Sequence, residues 1–294
     1  MRFLKKPKLN NELLQGLIHR NLDVGDIDDA IRLLESVNYS RLASYWHDYR
    51  NSDSNGSFMF NSGTSLETIV RHYEFDRELR LIVFGAIERF EVQLRVAIAS
   101  TLSTEYDDPF IHLNPTIMKD RSRWAATIAR VHKEYASSTE DLARHHKAVY
   151  PEYFLPPIWV SVEMATFGGL RHLYQNLSRR ADRQRISIRF GMNEGVFESW
   201  LAHIETVRNV CAHHARLWNR KFATKPKLPA KIYFGSQMEF NSEPSALSTI
   251  YNTILILDYV NRSQQSDRSL KSRVLRLIDD YSIIEASKMG FPEA

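Results

Sequence analysis

Tyr73-Glu74-Phe75-Asp76-Arg77-Glu78-Leu79-Arg80-Leu81-Ile82-Val83-Phe84-Gly85-Ala86-Ile87-Glu88-Arg89-Phe90-Glu91-Val92-Gln93-Leu94-Arg95 decides the fold class. Phe75, Leu79, Ile82, Val83, Ala86, Phe90 and Leu94 recur at steps of three and four, and Ala97 and Ile98 continue the series. That period belongs to a helix with one apolar face. The spacing predicts a long amphipathic helix over 73–102, or two abutting ones. Glu88, Glu91 and Arg95 interleave with the apolar positions, which favours ion pairing over catalysis for them.

Outward from this helix the pattern stays helical. Asn10–Asn21 reads as a first helix. Asp26 caps a second, with Ile27, Ile31, Leu34 and Val37 inward. Tyr39-Ser40-Arg41-Leu42-Ala43-Ser44-Tyr45-Trp46 is dense in aromatics that suit core packing better than base stacking. Residues 51–63 read as a loop, and Thr64 or Ser65 starts the next helix, supported by Glu67. Asp107–Pro115 breaks the pattern and Ser122–Tyr135 resumes it. Residues 137–157 read as an insertion or loop. Ile158–Leu177 is expected to be one helix, with Gly168-Gly169 near its centre as a kink or a close-packing point. Gly195–Arg220, Ser245–Val260 and Leu270–Ala286 complete the helices, and Lys231–Phe240 suggests two short strands. The expected class is all-α with a short β-hairpin near 231–240. The expected regions are 1–63, 64–220 and 221–294.

Bulk properties exclude several function classes. The 294 residues are 43% hydrophobic and 25% charged, as in globular rather than disordered chains. A formal net charge of +4 does not by itself mark a nucleic-acid binder, so local clustering has to carry that argument. The single cysteine, Cys211, excludes an internal disulfide and fits a reducing cytosol. The stretch 247–260 is too short to span a bilayer and contains Asn252 and Asp258. No phosphate loop or dinucleotide fingerprint is present. These features predict a cytoplasmic protein without membrane or cofactor.

The stretch richest in chemistry is Arg208-Asn209-Val210-Cys211-Ala212-His213. A fixed cation and a proton shuttle are what metal-free phosphodiester cleavage needs. Residues 208–231 hold Arg208, Arg216, Arg220, Lys221, Lys225, Lys227 and Lys231 and no acidic residue, which suggests an RNA substrate. Trp200, Ile204, Val207, Cys211, Ala215 and Trp218 form an apolar stripe on this helix, so Asn209 and His213 share another face. On an ideal helix Arg208 points roughly 140° away from His213. Three remedies are open: loosening of the helix near Ala212, a wrapped arginine, or a second copy that supplies one partner. The plainer reading makes Arg208 a salt-bridge partner of Glu88, Glu91 or Glu163, and His213 a capping or core histidine. His145 and His146 lack a second spaced ligand pair, so no metal site is assigned.

The blocks quoted so far resemble the Abi-like abortive-infection proteins of bacteria, the AbiD/AbiF group. The 39–46 block, Tyr73–Arg80, Glu88–Arg95, Pro157-Ile158-Trp159-Val160, Phe167-Gly168-Gly169-Leu170 and Met289-Gly290-Phe291-Pro292 carry the likeness. Arg208–Arg220 is its most specific piece. The resemblance implies a HEPN-type helical bundle with helical extensions at both ends. It also implies metal-independent endoribonuclease activity and a toxin-type role in phage defence, restrained by an antitoxin RNA or protein. Carried over by residue, the catalytic pair is Arg208 and His213, with Asn209 as the polar neighbour. His214 also satisfies the looser spacing, so both histidines stand as candidates for the base. Arg216, Arg220 and Lys221 are expected to hold flanking phosphates. HEPN domains resemble obligate pairs that share a cleft, which implies a homodimer.

Overall fold

A computed structural model describes residues 6–52, 57–230, 238–261 and 269–292. The all-α class is borne out: the described residues hold twelve α-helices and one two-stranded hairpin. The helices are α1 (Asn10–Ile18), α2 (Ile27–Ser36), α3 (Tyr39–Leu42), α4 (Leu66–Tyr106), α5 (Arg121–Ser137) and α6 (Asp141–Val149). Then follow α7 (Ile158–Ser161), α8 (Phe167–Asn176), α9 (Arg180–Ile188), α10 (Glu194–Ala212), α11 (Tyr251–Asn261) and α12 (Leu270–Asp280). The hairpin pairs β1 (Arg50–Ser52) with β2 (Phe58–Phe60), antiparallel, with Arg50 opposite Phe60. It occupies the segment read from sequence as a loop. The hairpin expected near 231–240 falls mainly outside the described residues.

The chain forms two compact units, one of residues 1–80 with 274–286 and one of 81–273 with 287–294. In the first, Asp26 caps α2 by accepting from Asp29 N–H. Ala30 and Leu34 face inward while Ile27 stays exposed, so the inner stripe begins one turn later than the apolar pattern suggests. The aromatic block after α3 is core, as expected: Tyr45 and Trp46 are buried. Tyr45 Oη donates to Asp76 Oδ2 at 2.6 Å, and Arg80 pairs with Asp76 and donates to Tyr45 Oη at 3.3 Å. The two sequence blocks 39–46 and 73–80 therefore bind each other through a buried ion pair. Burial and the Asp76 carboxylate together push the Tyr45 hydroxyl well above its ordinary pKa.

The second unit is built around α11, every residue of which is buried. Its polar side chains are all used. Asn252 and Asn241 exchange reciprocal hydrogen bonds. Asn261 donates to Ala86 O at 2.9 Å, and Asp258 accepts from Leu270 N–H at 2.9 Å. A helix buried on all sides is a core helix, its polar groups satisfied internally, and no helix among the described residues is long and apolar enough to cross a membrane. Gly290, with φ 86°, lies against Thr249, where a Cβ would collide.

Two expectations need correction here. Residues 137–157 contain α6, which buries only Ala143 and His146, too few apolar positions to register as a period. Ile158–Leu177 is not one helix: it breaks after Ser161, and Thr166 starts α8 by accepting from Gly169 N–H. The Gly168-Gly169 pair sits in the first turn of α8, not at the centre of a longer helix.

Candidate active site

Helix α10 is capped by Asn193, whose side chain accepts from Val196 N–H. It buries Trp200, Ile204, Val207 and Cys211, the stripe that the spacing predicts. It ends at Ala212 rather than at Arg220. Ala215 N–H donates to Val210 O and His214 N–H to Cys211 O, each at 3.0 Å. This is a Schellman turn with His214 in the left-handed position at φ 55°. Glycine is usual there, and histidine is among the side chains that tolerate it. The apolar period continues to Trp218, which is buried from a non-helical segment. Period alone therefore overestimated the helix by two turns.

His213 precedes that turn. Its N–H still donates to Asn209 O at 3.0 Å, so it keeps helical register and stacks over Asn209. Both side chains are exposed. Arg208 points elsewhere: it is half-buried, and its guanidinium carbon lies 6.0 Å from the centre of the Phe84 ring on α4. The helix ends at Ala212, where loosening was one remedy, but His213 still keeps helical register.

No acidic side chain partners Arg208 among the described residues. Among the described residues the side chains of Arg208, Asn209 and His213 make no hydrogen bond or ion pair, and Arg208 Nε is buried without a partner. Glu91 and Glu163 both pair with Arg95, at 2.7 and 3.2 Å, and Glu88 is exposed. A buried guanidinium nitrogen without an acceptor is costly, on the order of 1–3 kcal/mol. Among the proposed phosphate ligands, Arg220 Nη1 donates back to Arg216 O at 3.0 Å and Lys221 Nζ reaches Ser245 O at 3.4 Å. His214 is exposed.

Behind the motif α10 is anchored on two sides. His203 is buried between the 221–230 segment and α11, its rings 2.6 Å from Thr224 O and 2.6 Å from Thr253 Oγ1. A carbonyl only accepts, so Nδ1 carries the proton and Nε2 accepts from the Thr253 hydroxyl. Burial lowers its pKa to about 4, so the imidazole is neutral. Trp200 Nε1 donates to Lys227 O at 2.9 Å. On the other side Glu205 pairs with Arg171 of α8, and a Cβ on Gly168 would lie 2.6 Å from Glu205 Oε1. Gly168 thus serves close packing of α8 on α10, and Gly169 does not. Glu205 and Arg171 were not singled out from sequence, although Glu205 stands three residues before Arg208 and so borders it on the helix.

His145 and His146 line a different place, a cavity of about 400 Å³ walled by Phe110, Tyr150, Tyr153 and Trp159. His146 Nδ1 is 2.9 Å from Tyr135 Oη. Among the described residues no group of three metal-ligating side chains comes together.

A family model described as Abi-like protein matches residues 32–219. Neither curated proteins nor solved structures give a match.

Proposed function

Because the chain belongs to the Abi-like protein family, we propose that it is an abortive-infection effector that cleaves RNA without a metal ion. Family membership suggests the phage-defence role. One observation carries the chemical part: at the end of α10 the side chains of Arg208, Asn209 and His213 are uncommitted, and Arg208 keeps a buried nitrogen without an acceptor. In this reading a phosphate oxygen completes Arg208, which then stabilises the charge of the transition state. His213 takes the proton of a ribose 2′-hydroxyl or returns one to the leaving 5′-oxygen. The attacking 2′-oxygen forms a bond to phosphorus as the bond to the 5′-oxygen breaks. The products are a 2′,3′-cyclic phosphate and a 5′-hydroxyl, and DNA is inert. His213 suits the base better than His214, because it shares a face with Asn209, which orients it. The separation of Arg208 from His213 on one helix is met by a homodimer in which each site takes one residue from each copy.

The test is cleavage of total cellular RNA in EDTA by wild type, Arg208→Ala and His213→Ala proteins. Wild type is expected to cut, and each variant to lose about 10²–10⁴-fold in rate. Equal cleavage by all three, or products with 3′-hydroxyl ends, sinks the assignment.

A further inference from the structure

Two groups of basic residues in the second unit differ in how they are engaged. One group is occupied internally. Arg179 and Arg185 pair with Glu105 and Asp182. Arg180 pairs with Glu194, Arg183 donates to Leu177 O and Ser178 O, and Arg189 donates to Ser100 Oγ at 2.5 Å. The run 179–189, the most basic stretch N-terminal to the motif, is thus largely structural.

The other group lies on α5. Arg123, Arg130 and Lys133 are exposed, and among the described residues their side chains make no hydrogen bond or ion pair. At 100° per residue the three fall within roughly 80° of one another around the helix. They extend over about 15 Å of its length at 1.5 Å per residue. No acidic residue lies between Arg121 and Lys133, and the exposed Glu134 closes the stripe one turn after Arg130. Asp120 is engaged as the cap of α5, accepting from Arg123 N–H.

The start of α5 is tied to the end of α8 by Asp120 N–H to Asn176 Oδ1 and Asn176 Nδ2 to Asp120 O, each at 2.8 Å. The two helices therefore run antiparallel. His172 Nδ1 is buried without a hydrogen-bond partner. Its neighbour Arg171 grips Glu205 on α10, one turn before Arg208.

We propose that the exposed face of α5 forms a phosphodiester track, in which Arg123, Arg130 and Lys133 hold the backbone of an RNA strand leading to Arg208 and His213. The proposal rests on the ribonuclease reading for what happens at the end of the track. Three cations in line match a polyanion with regularly repeated charge. A membrane surface is the less suitable occupant, because no residue of α5 is among the large exposed apolar side chains that would enter a bilayer.

The experiment is fluorescence anisotropy with a labelled, uncleavable 2′-O-methyl RNA of about 15 nucleotides, titrated over a range of salt. The proteins are wild type, the Arg123→Ala/Arg130→Ala/Lys133→Ala triple variant, and Arg208→Ala/His213→Ala. Alanine on an exposed helix face preserves the fold, which circular dichroism checks, and the Arg123→Lys/Arg130→Lys variant retains the charge. The triple variant is expected to bind at least about tenfold more weakly at low salt. Its log affinity against log salt should flatten by about 2, at roughly 0.7 per single-stranded phosphate contact. The lysine variant should keep most of the wild-type slope. An unchanged slope in the triple variant overturns the track, as does wild-type binding to anionic phosphatidylserine vesicles but not to RNA. The readout needs no cleavage, so the two readings fail separately. A track that binds while no protein cuts RNA leaves this inference standing and removes the nuclease. Cleavage with an unchanged slope does the reverse.

Discussion

At the scale of single residues, two buried histidines make stability depend on pH. His203 and His112 are both almost inaccessible, and burial lowers each pKa to about 4. His203 is hydrogen bonded on both nitrogens, and His112 on neither among the described residues. The unfolded chain binds a proton at each near pH 6.5 while the folded chain does not. Stability is therefore full above about pH 6.5 and falls as pH drops toward 4, by a few kcal/mol for each group in order of magnitude. Urea midpoints at pH 7, 6 and 5 should show this fall, and His203→Gln should have a shallower pH slope than wild type. Equal slopes would remove His203 as the cause. The chemistry of Arg208, Asn209 and His213 was legible in the sequence, because residue type carries it. The partners of Arg208 were not. Glu91 and Glu163 were equally good on paper, and only packing assigns them to Arg95.

At the scale of elements, the contact of α8 with α10 distinguishes two adjacent glycines. A Cβ on Gly168 would meet Glu205 Oε1 at 2.6 Å, and the Glu205 carboxylate is held by Arg171, so it cannot move aside without loosening that pair. A Cβ on Gly169 would meet only ordinary contacts at 3.5 and 3.7 Å. Alanine is otherwise favoured over glycine in a helix by up to about 1 kcal/mol. Gly169→Ala is thus expected to be neutral or stabilising and Gly168→Ala destabilising by about 1 kcal/mol, which thermal unfolding would read. The same sign for both would show that Glu205 yields freely. Two helix starts were legible from capping side chains, Asp26 and Ser65, whereas the caps Asp120 and Asn193 stand two residues before the starts read at Ser122 and Gly195. Helix ends were not legible. The turn at His214 uses a residue type that gives no stop signal, and α6 buries too little to leave a pattern.

At the scale of the whole molecule, the homodimer can be tested without a dimer structure. If each site combines Arg208 of one copy with His213 of the other, a mixed dimer of Arg208→Ala and His213→Ala chains has one intact site. Co-refolding the two inactive proteins in equal amounts should restore roughly a quarter of wild-type activity, since half the dimers are mixed and each has one working site of two. No recovery would place both residues in the same copy. The all-α class was legible because the apolar period of α4 persists from Phe75 to Ile98. The family was legible because several blocks match together, and two of them, 39–46 and 73–80, prove to be halves of one buried contact.

The end of α10 also carries a chemical label of its own. Cys211 is the chain's only cysteine and it is buried, two residues before the histidine of the motif. A thiol reagent reaches it readily only when the structure around the last turn opens, so the alkylation rate measures how often that region opens. The protein thus reports the breathing of its own candidate site through a single sulfur atom, with no foreign probe and no competing thiol elsewhere in the chain.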